Sequence, residues 1–247
     1  MRPFTTMESQ KMQDLRKHLE KHFHFMGGRD NMPILAEPMS RKEEWVTKWD
    51  VADPANFITH SSSMRNGGRL QLAKTMSDMG LKTAVEVACR YGQIDYKSQA
   101  DESAKLWLDN IDDLYLTCID PYVAYHRVSQ ERQDLIYAEA QKNAEKFGFN
   151  LMRIASLDAV DGYDDGELDW VCIDGNHCFD AAVQDIIRWA PKVRVGGLVL
   201  VHDYCEFALS GVIPAIDSYT QCHWIDPWYV TRDKEPTAFW QRGEERA

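Results

Sequence analysis

The sequence predicts an α/β protein with a mostly parallel central sheet, and three observations carry that prediction. From Leu168 to Tyr204, an apolar run ending in Asp174-Gly175 leads into a segment with apolar residues at helical spacing (Phe179, Ala182, Val183, Ile186, Ile187, Ala190). A glycine turn at Gly196-Gly197 and a second apolar run follow, and that run ends in His202-Asp203-Tyr204. Strand, helix and strand in this order form a unit whose two strands must run parallel. Upstream, three more apolar runs alternate with helical segments in the same way, and a hairpin lies near the end of the chain.

Each element has its own justification. Residues 8–25 read as a polar helix with Met12, Leu15, Leu19 and Phe23 on one stripe, ended by Met26-Gly27-Gly28. Residues 29–60 hold Pro33, Pro38 and Pro54 and read as an irregular arm or lid, so 1–60 is expected to be an appendage to a main domain of 61–247. Ser61-Ser62-Ser63 offers an N-cap for a helix reaching Gly80. Leu81–Val87 is the first strand and Leu114–Ile119 the second, with a helix between them that carries Ala100, Ala104, Trp107, Leu108 and Ile111. A long helix over Ser129–Phe147 is closed by Gly148, and Asn150–Ala155 is the third strand. After the fourth and fifth strands come a helix at Gly211–Gln221 and two short strands at 228–231 and 237–241. The turn Asp233-Lys234-Glu235-Pro236 joins them, for seven strands in all.

Composition narrows the function. A formal charge of −11 argues against a nucleic-acid backbone as main partner. The six cysteines lack paired metal-type spacing, and Cys118 and Cys172 fall inside apolar runs, as small core residues do. A reducing, cytoplasmic setting is expected, with no membrane span and no apolar leader in Met1–Gln10. His18 and His22 share a helix face, yet no third ligand stands near, so a solvated face or a partner contact is the better reading. In open α/β sheets ligands lie beyond the carboxyl ends of the strands, which gathers Asp174, Asn176, His177, His202 and Asp203 at one rim.

Residues 64–241 resemble class I S-adenosylmethionine-dependent methyltransferases, and within them the methyltransferase-24-like group of small-molecule and sugar O-methyltransferases. The resemblance rests on E-V-A-C-R-Y-G at 86–92, I-D-P at 119–121, C-I-D-G-N-H at 172–177, G-G-L-V-L-V-H-D-Y at 196–204 and G-V-I-P-A-I-D-S-Y at 211–219, with the T-R-D-K-E-P hairpin. It implies a Rossmann-like, seven-stranded, mostly parallel sheet with a C-terminal antiparallel hairpin strand and helices on both faces. It implies S-adenosylmethionine as cofactor and a small-molecule or sugar acceptor. A homo-oligomer is compatible with it.

The implied cofactor residues are Glu86, Ala88, Arg90 and Gly92 in the first loop, Asp120 and Pro121 after the second strand, Ser156 and Leu157 after the third, and Asp174 and Gly175 after the fourth. The family's first-loop glycine is Ala88 here, which allows close approach but not easy positive φ. Glu86 is expected near the methionine part of the cofactor, because an acid inside T-A-V-E-V needs a partner. Asp120 suits the ribose hydroxyls, although a helix-terminal acid would look the same in sequence. Capping by Ser156 is the competing reading at that position.

For chemistry, Asp174 and Asp203 match positions where relatives hold a divalent ion, Mg²⁺ or Mn²⁺. His202 and Asn176 stand where relatives carry acids. His177 is expected to be the general base, with His202 and Asp203 completing the catalytic group. A zinc site drawing on Cys178 and Cys205 lacks C-x-x-C spacing. Two other classes stay open. A nicotinamide-dependent oxidoreductase would want G-x-G-x-x-G where A-C-R-Y-G stands, and a non-catalytic binding or scaffold protein would fit the departures at Ala88, Asn176 and His202.

Overall fold

The computed structural model describes residues 6–25, 68–90, 103–125, 128–205, 210–232 and 235–243. Its strands are β1 (His24–Phe25), β2 (Thr83–Val87), β3 (Tyr115–Ile119), β4 (Asn150–Met152), β5 (Leu168–Ile173), β6 (Val193–Val201), β7 (Trp228–Val230) and β8 (Ala238–Gln241). The helices are α1 (Thr6–His22), α2 (Arg69–Asp78), α3 (Ser103–Asn110), α4 (Gln130–Phe147), α5 (Ser156–Ala159), α6 (Phe179–Trp189) and α7 (Val212–Cys222). The sheet order is β1-β7-β8-β6-β5-β2-β3-β4. Strands β2 to β6 run parallel, and β8 is antiparallel to both of its neighbours, β6 and β7. The expected seven strands are therefore present, with the two-residue β1 added at the edge against β7.

Side-chain alternation splits the sheet into two cores. Val85, Val87, Val171, Ile173, Val199 and Val201 face α6 and α7. Ala84, Leu116, Cys118, Trp170, Cys172, Leu198 and Leu200 face α1, α2 and α3. Both faces are covered, so the strands read as nearly unbroken apolar runs. Leu19 of α1 and Phe23 just past its end are buried in the second core, with the Phe23 ring edge-on to Phe239. The expected boundary at residue 60 lies outside the described residues. His18 spends its Nε2 on Thr75 Oγ1 at 3.0 Å, so its helix face packs on α2.

The expected α4 forms with both caps. The Ser129 side chain accepts the Arg132 N–H, and Gly148 ends the helix at φ +81°. Two expectations are revised. β4 stops at Met152, not Ala155, because its partner β3 ends at Ile119 and leaves nothing to pair with. Beyond that point Arg153 reaches back to the Tyr122 carbonyl and to Asp134. Gly196-Gly197 is not a turn before the last parallel strand but a bulge inside β6, where pairing skips from Leu168↔Val193 to Trp170↔Leu198. Gly196 has φ +85°, and a Cβ on Gly197 would run into the Asp169 carbonyl.

Asp169 anchors the amino ends of the central strands. Its Oδ2 accepts the N–H groups of Lys82 and Thr83 at 2.7 and 2.9 Å, and its Oδ1 accepts Arg194 Nε at 2.6 Å. Burial opposes the charge, but these donors hold the carboxyl below its usual range. At the other end of the sheet the backbone is strained. Of the non-glycine residues with positive φ, Ala88 (+66°), Arg90 (+48°), Tyr122 (+48°) and Asp203 (+59°) all follow the carboxyl ends of β2, β3 and β6.

Two outcomes follow. Asp169→Ala should lose about 1–2 kcal/mol at pH 7, less than a fully buried charged bond because the group is partly solvated. A depressed folded-state pKa stabilises above the unfolded value and fades as pH falls through the folded one. The gap to wild type in urea melts should therefore narrow as pH falls below about 4, and a gap undiminished in acid would contradict the anchor. Ala88→Gly should raise stability by about 0.5–1 kcal/mol, since the left-handed penalty of a Cβ exceeds the added chain entropy of glycine. Equal or lower stability in the same melts would mean the loop is not strained at residue 88.

Candidate active site

The rim is built where the ladders run out. The N–H of Asp174 donates to the Val87 carbonyl at 3.1 Å and that of His202 to Ile173 at 2.9 Å, so both residues stand one step past the last paired residues. Ile173 and Val201 are register partners, which puts Asp174 and His202 side by side. His202 Nδ1 lies 3.3 Å from Asp174 Oδ1 and 3.4 Å from Asp203 Oδ1. The left-handed Asp203 turns its other oxygen toward His177, whose Nε2 is 3.2 Å from Asp203 Oδ2 and 3.7 Å from Asp174 Oδ1. Two acids and two imidazoles thus form one cluster.

Its members titrate differently. Burial disfavours a charged His202, yet Asp174 and Asp203 outweigh this and push it up to about 9. Burial would raise Asp174, but His202 and His177 hold it well below the carboxylate range. Burial dominates at Asp203 and lifts its pKa. His177 is more open, with about a third of its side chain exposed. Burial lowers its affinity for a proton, and Asp174 and Asp203 together raise it above the usual imidazole value. Arg69, buried at the start of α2, sends positive potential onto His202 and Cys172.

Asp174, His177 and Asp203 offer ligand atoms within 4.8 Å of one another, and neither Cys178 nor Cys205 joins them. The donor set fits a hard divalent ion, with two carboxylates and one imidazole. Such an ion would share the acids with His202, so its entry would expel a proton from that ring. Asn176 is occupied otherwise. Its Oδ1 accepts the N–H of Cys178 at 3.0 Å, which shapes the entry to α6, and the hydroxyl of Tyr125 at 3.1 Å.

A second group of residues lines the ends of β2 and β3. Glu86 is fully buried, with Cys118 and Cys172 as its register neighbours on either side and the Cys118 thiol 3.9 Å from its Oε2. Asp120 Oδ2 accepts the Arg90 N–H at 3.1 Å and its Oδ1 the Tyr122 N–H at 2.9 Å. Burial raises its pKa against these two bonds. The Tyr122 hydroxyl donates to the Arg90 carbonyl at 2.7 Å, so the loops after β2 and β3 are fastened together. Pro121 lies between, half-buried. Gly92 is outside the described residues.

Ser156 opens α5, and its hydroxyl is already engaged, donating to Asp185 Oδ1 at 2.5 Å and accepting from Trp189 Nε1 at 2.7 Å. Leu157 beside it is exposed. Gly175 sits against Asp185 and Val87. Arg69, Tyr122, Tyr125 and Asp185 were missed by the sequence reading. The Tyr in I-D-P-Y was the one available signal, because the other partners are far apart in the chain.

The family model described as a methyltransferase domain matches residues 72–204, from α2 through the last residues of the rim. Among solved structures, the O-methyltransferase NovP is 16% identical with a TM-score of 0.51 over 71% of this chain and 80% of that one. An O-methyltransferase from Bacillus cereus in complex with S-adenosylhomocysteine is 12% identical with a TM-score of 0.50, over 78% and 88%. No curated protein matches the chain. Among the described residues no helix is long and apolar enough to cross a membrane. The family match covers more than half of the chain and identifies it as a member of the methyltransferase domain family, a class I S-adenosylmethionine-dependent methyltransferase.

Proposed function

We propose that the protein transfers a methyl group from S-adenosylmethionine to a hydroxyl of a small molecule or sugar. The observation that carries this reading is the Asp174–His177–His202–Asp203 cluster at the ends of β5 and β6. A proton acceptor and fixed charge there suit a hydroxyl that must lose its proton as it is alkylated. NovP and the Bacillus cereus protein are named O-methyltransferases, and their shared fold is consistent with the same chemistry.

The cofactor lies across the ends of β2, β3 and β5 in this reading. The loop Ala88–Arg90 would admit its amino-acid end beside Glu86. Asp120, with carboxylate lone pairs left after its two backbone bonds, accepts ribose hydroxyls. Pro121, Ser156 and Leu157 border the base, and Asp174 and Gly175 close the crevice from β5. That donor set fits the group, with acids for its hydroxyls and ammonium and a buried acid near its sulfonium end. When bound, S-adenosylmethionine supplies a methyl already activated on a cationic sulfur.

The chain's own residues do the rest. His177 Nε2 lies against Asp203 and Asp174, and the two acids raise the basicity of the ring. The neutral ring would take the proton of the acceptor hydroxyl as that oxygen is alkylated. Charged His202 orients Asp174 and Asp203 and balances their charge. A divalent ion, where bound, is held by Asp174 and Asp203 with His177 adjacent, and would polarise the acceptor oxygen.

Two measurements test this. Asp120→Ala should weaken S-adenosylmethionine binding by about 1.5–3 kcal/mol in calorimetry, the range for hydrogen bonds to a charged group. Equal binding by the variant would remove the ribose assignment. His177→Ala should keep cofactor affinity and lower single-turnover methyl transfer by about 10²–10⁴-fold, the usual share of a general base. The acids raise the pKa of His177, so its basic form fills only as pH climbs. Wild-type turnover should therefore rise with pH through a value above about 6.5, and that limb should vanish in the variant. A loss under roughly tenfold would exclude His177 as the base.

A further inference from the structure

Asp185 has no part in the cluster or in the chemistry above, yet it is the buried acid of α6, only 6% exposed. An acid at this depth is costly without partners. It has one strong one, the Ser156 hydroxyl at 2.5 Å, and that hydroxyl is in turn fixed by the fully buried Trp189 through its ring N–H at 2.7 Å. Asp185 and Trp189 stand one turn apart on α6, so one helix face grips the residue that opens α5. The other carboxylate oxygen lies under the β5 loop. A Cβ built on Gly175 would come within 3.0 Å of Asp185 Oδ2 and 3.7 Å of the Val87 side chain.

Gly175 and Ser156 follow strands that are not neighbours, since β5 and β4 are separated by β2 and β3 in the sheet. A single side chain therefore sets the spacing of two loops on opposite sides of the crevice mouth. We propose that Asp185 is a positioning residue for the adenosine end of S-adenosylmethionine, holding the Ser156-Leu157 and Gly175 backbones at the separation that the base and ribose require. This rests on the cofactor placement proposed above. The carboxylate touches neither the cofactor nor the acceptor and acts only through Ser156 and Gly175. The same contact explains a glycine at 175, because a side chain there would push on the acid and spread the loops.

The test is calorimetric binding of S-adenosylhomocysteine and of adenosine alone to wild type, Asp185→Ala, Asp185→Asn, Gly175→Ala and the Gly175→Ala/Asp185→Ala pair, with melting temperatures measured in parallel. All binding is measured well below the lowest melting point. Asp185→Ala should weaken both ligands by about tenfold, equivalent to the loss of one buried hydrogen bond. Asp185→Asn keeps an acceptor for Ser156 and should stay within about threefold of wild type. Gly175→Ala should weaken binding alone and cost less in the pair, where the clash is relieved. A purely structural Asp185 would lower the melting temperature and leave the affinity of the folded protein unchanged, and that result overturns the proposal. Where Asp185→Ala does not fold, Ser156→Ala decides, since it cuts the same link. Unchanged affinity for both ligands in Ser156→Ala then also overturns the proposal. Failure of wild type to bind S-adenosylhomocysteine would instead remove the cofactor placement itself.

Discussion

A parallel strand covered on both faces can place a charge only at its ends, and this constraint organises the molecule. Strands β2, β5 and β6 are apolar along nearly their whole length, and the polar residues gather where their ladders stop. Glu86 breaks the rule inside β2 and shows what breaking it requires. Its two lateral neighbours are cysteines, small enough to leave it room, and one thiol faces its carboxylate. In both cysteines burial holds the proton on sulfur and keeps their pKa well above the usual thiol value, so they pack as neutral groups around the acid.

The same ends hold the backbone strain. Ala88, Arg90, Tyr122 and Asp203 sit in a left-handed conformation that side chains disfavour. Bonds to neighbouring segments brace these turns. The Ala88 N–H reaches Ile119, the Arg90 peptide is gripped by Asp120 and Tyr122, and the Tyr204 N–H after Asp203 is taken by the Pro236 carbonyl. The loops are therefore coupled across strands, and a change in one is felt in its neighbours.

Much of this was legible in the sequence, because periodicity and capping are local. The α4 helix announced itself through Ser129 and Gly148, and the rim through polar residues closing two apolar runs. What was not legible depends on register or distance. Nothing in A-C-R-Y-G says that alanine takes the conformation of the glycine it replaces. Gly196-Gly197 signals flexibility in sequence, and only the pairing with β5 makes it a bulge. Asn176 looked like a weakened base, but it is fixed by Tyr125, 51 residues away. Asp185 reads as a polar position on an amphipathic helix until α5 is folded against it. The residues that carry charge at the rim were read from sequence, and those that hold them in place were not.

The two histidines show why sequence could name the pair but not separate it. Both follow an apolar strand, and both stand beside the same two acids. His202 continues the direction of β6 and ends buried between Asp174 and Asp203, which push its pKa up to about 9 against the cost of burial. His177 comes four residues past the end of β5, on a loop whose shape is set by the Asx bond to Cys178 and by the Gly211 N–H on its own carbonyl. It reaches the acids from the solvent side with a third of its side chain exposed. One imidazole is a fixed counter-charge and the other can gain and lose a proton. Environment, not residue type, assigns those parts, and the environment is made by where each strand stops.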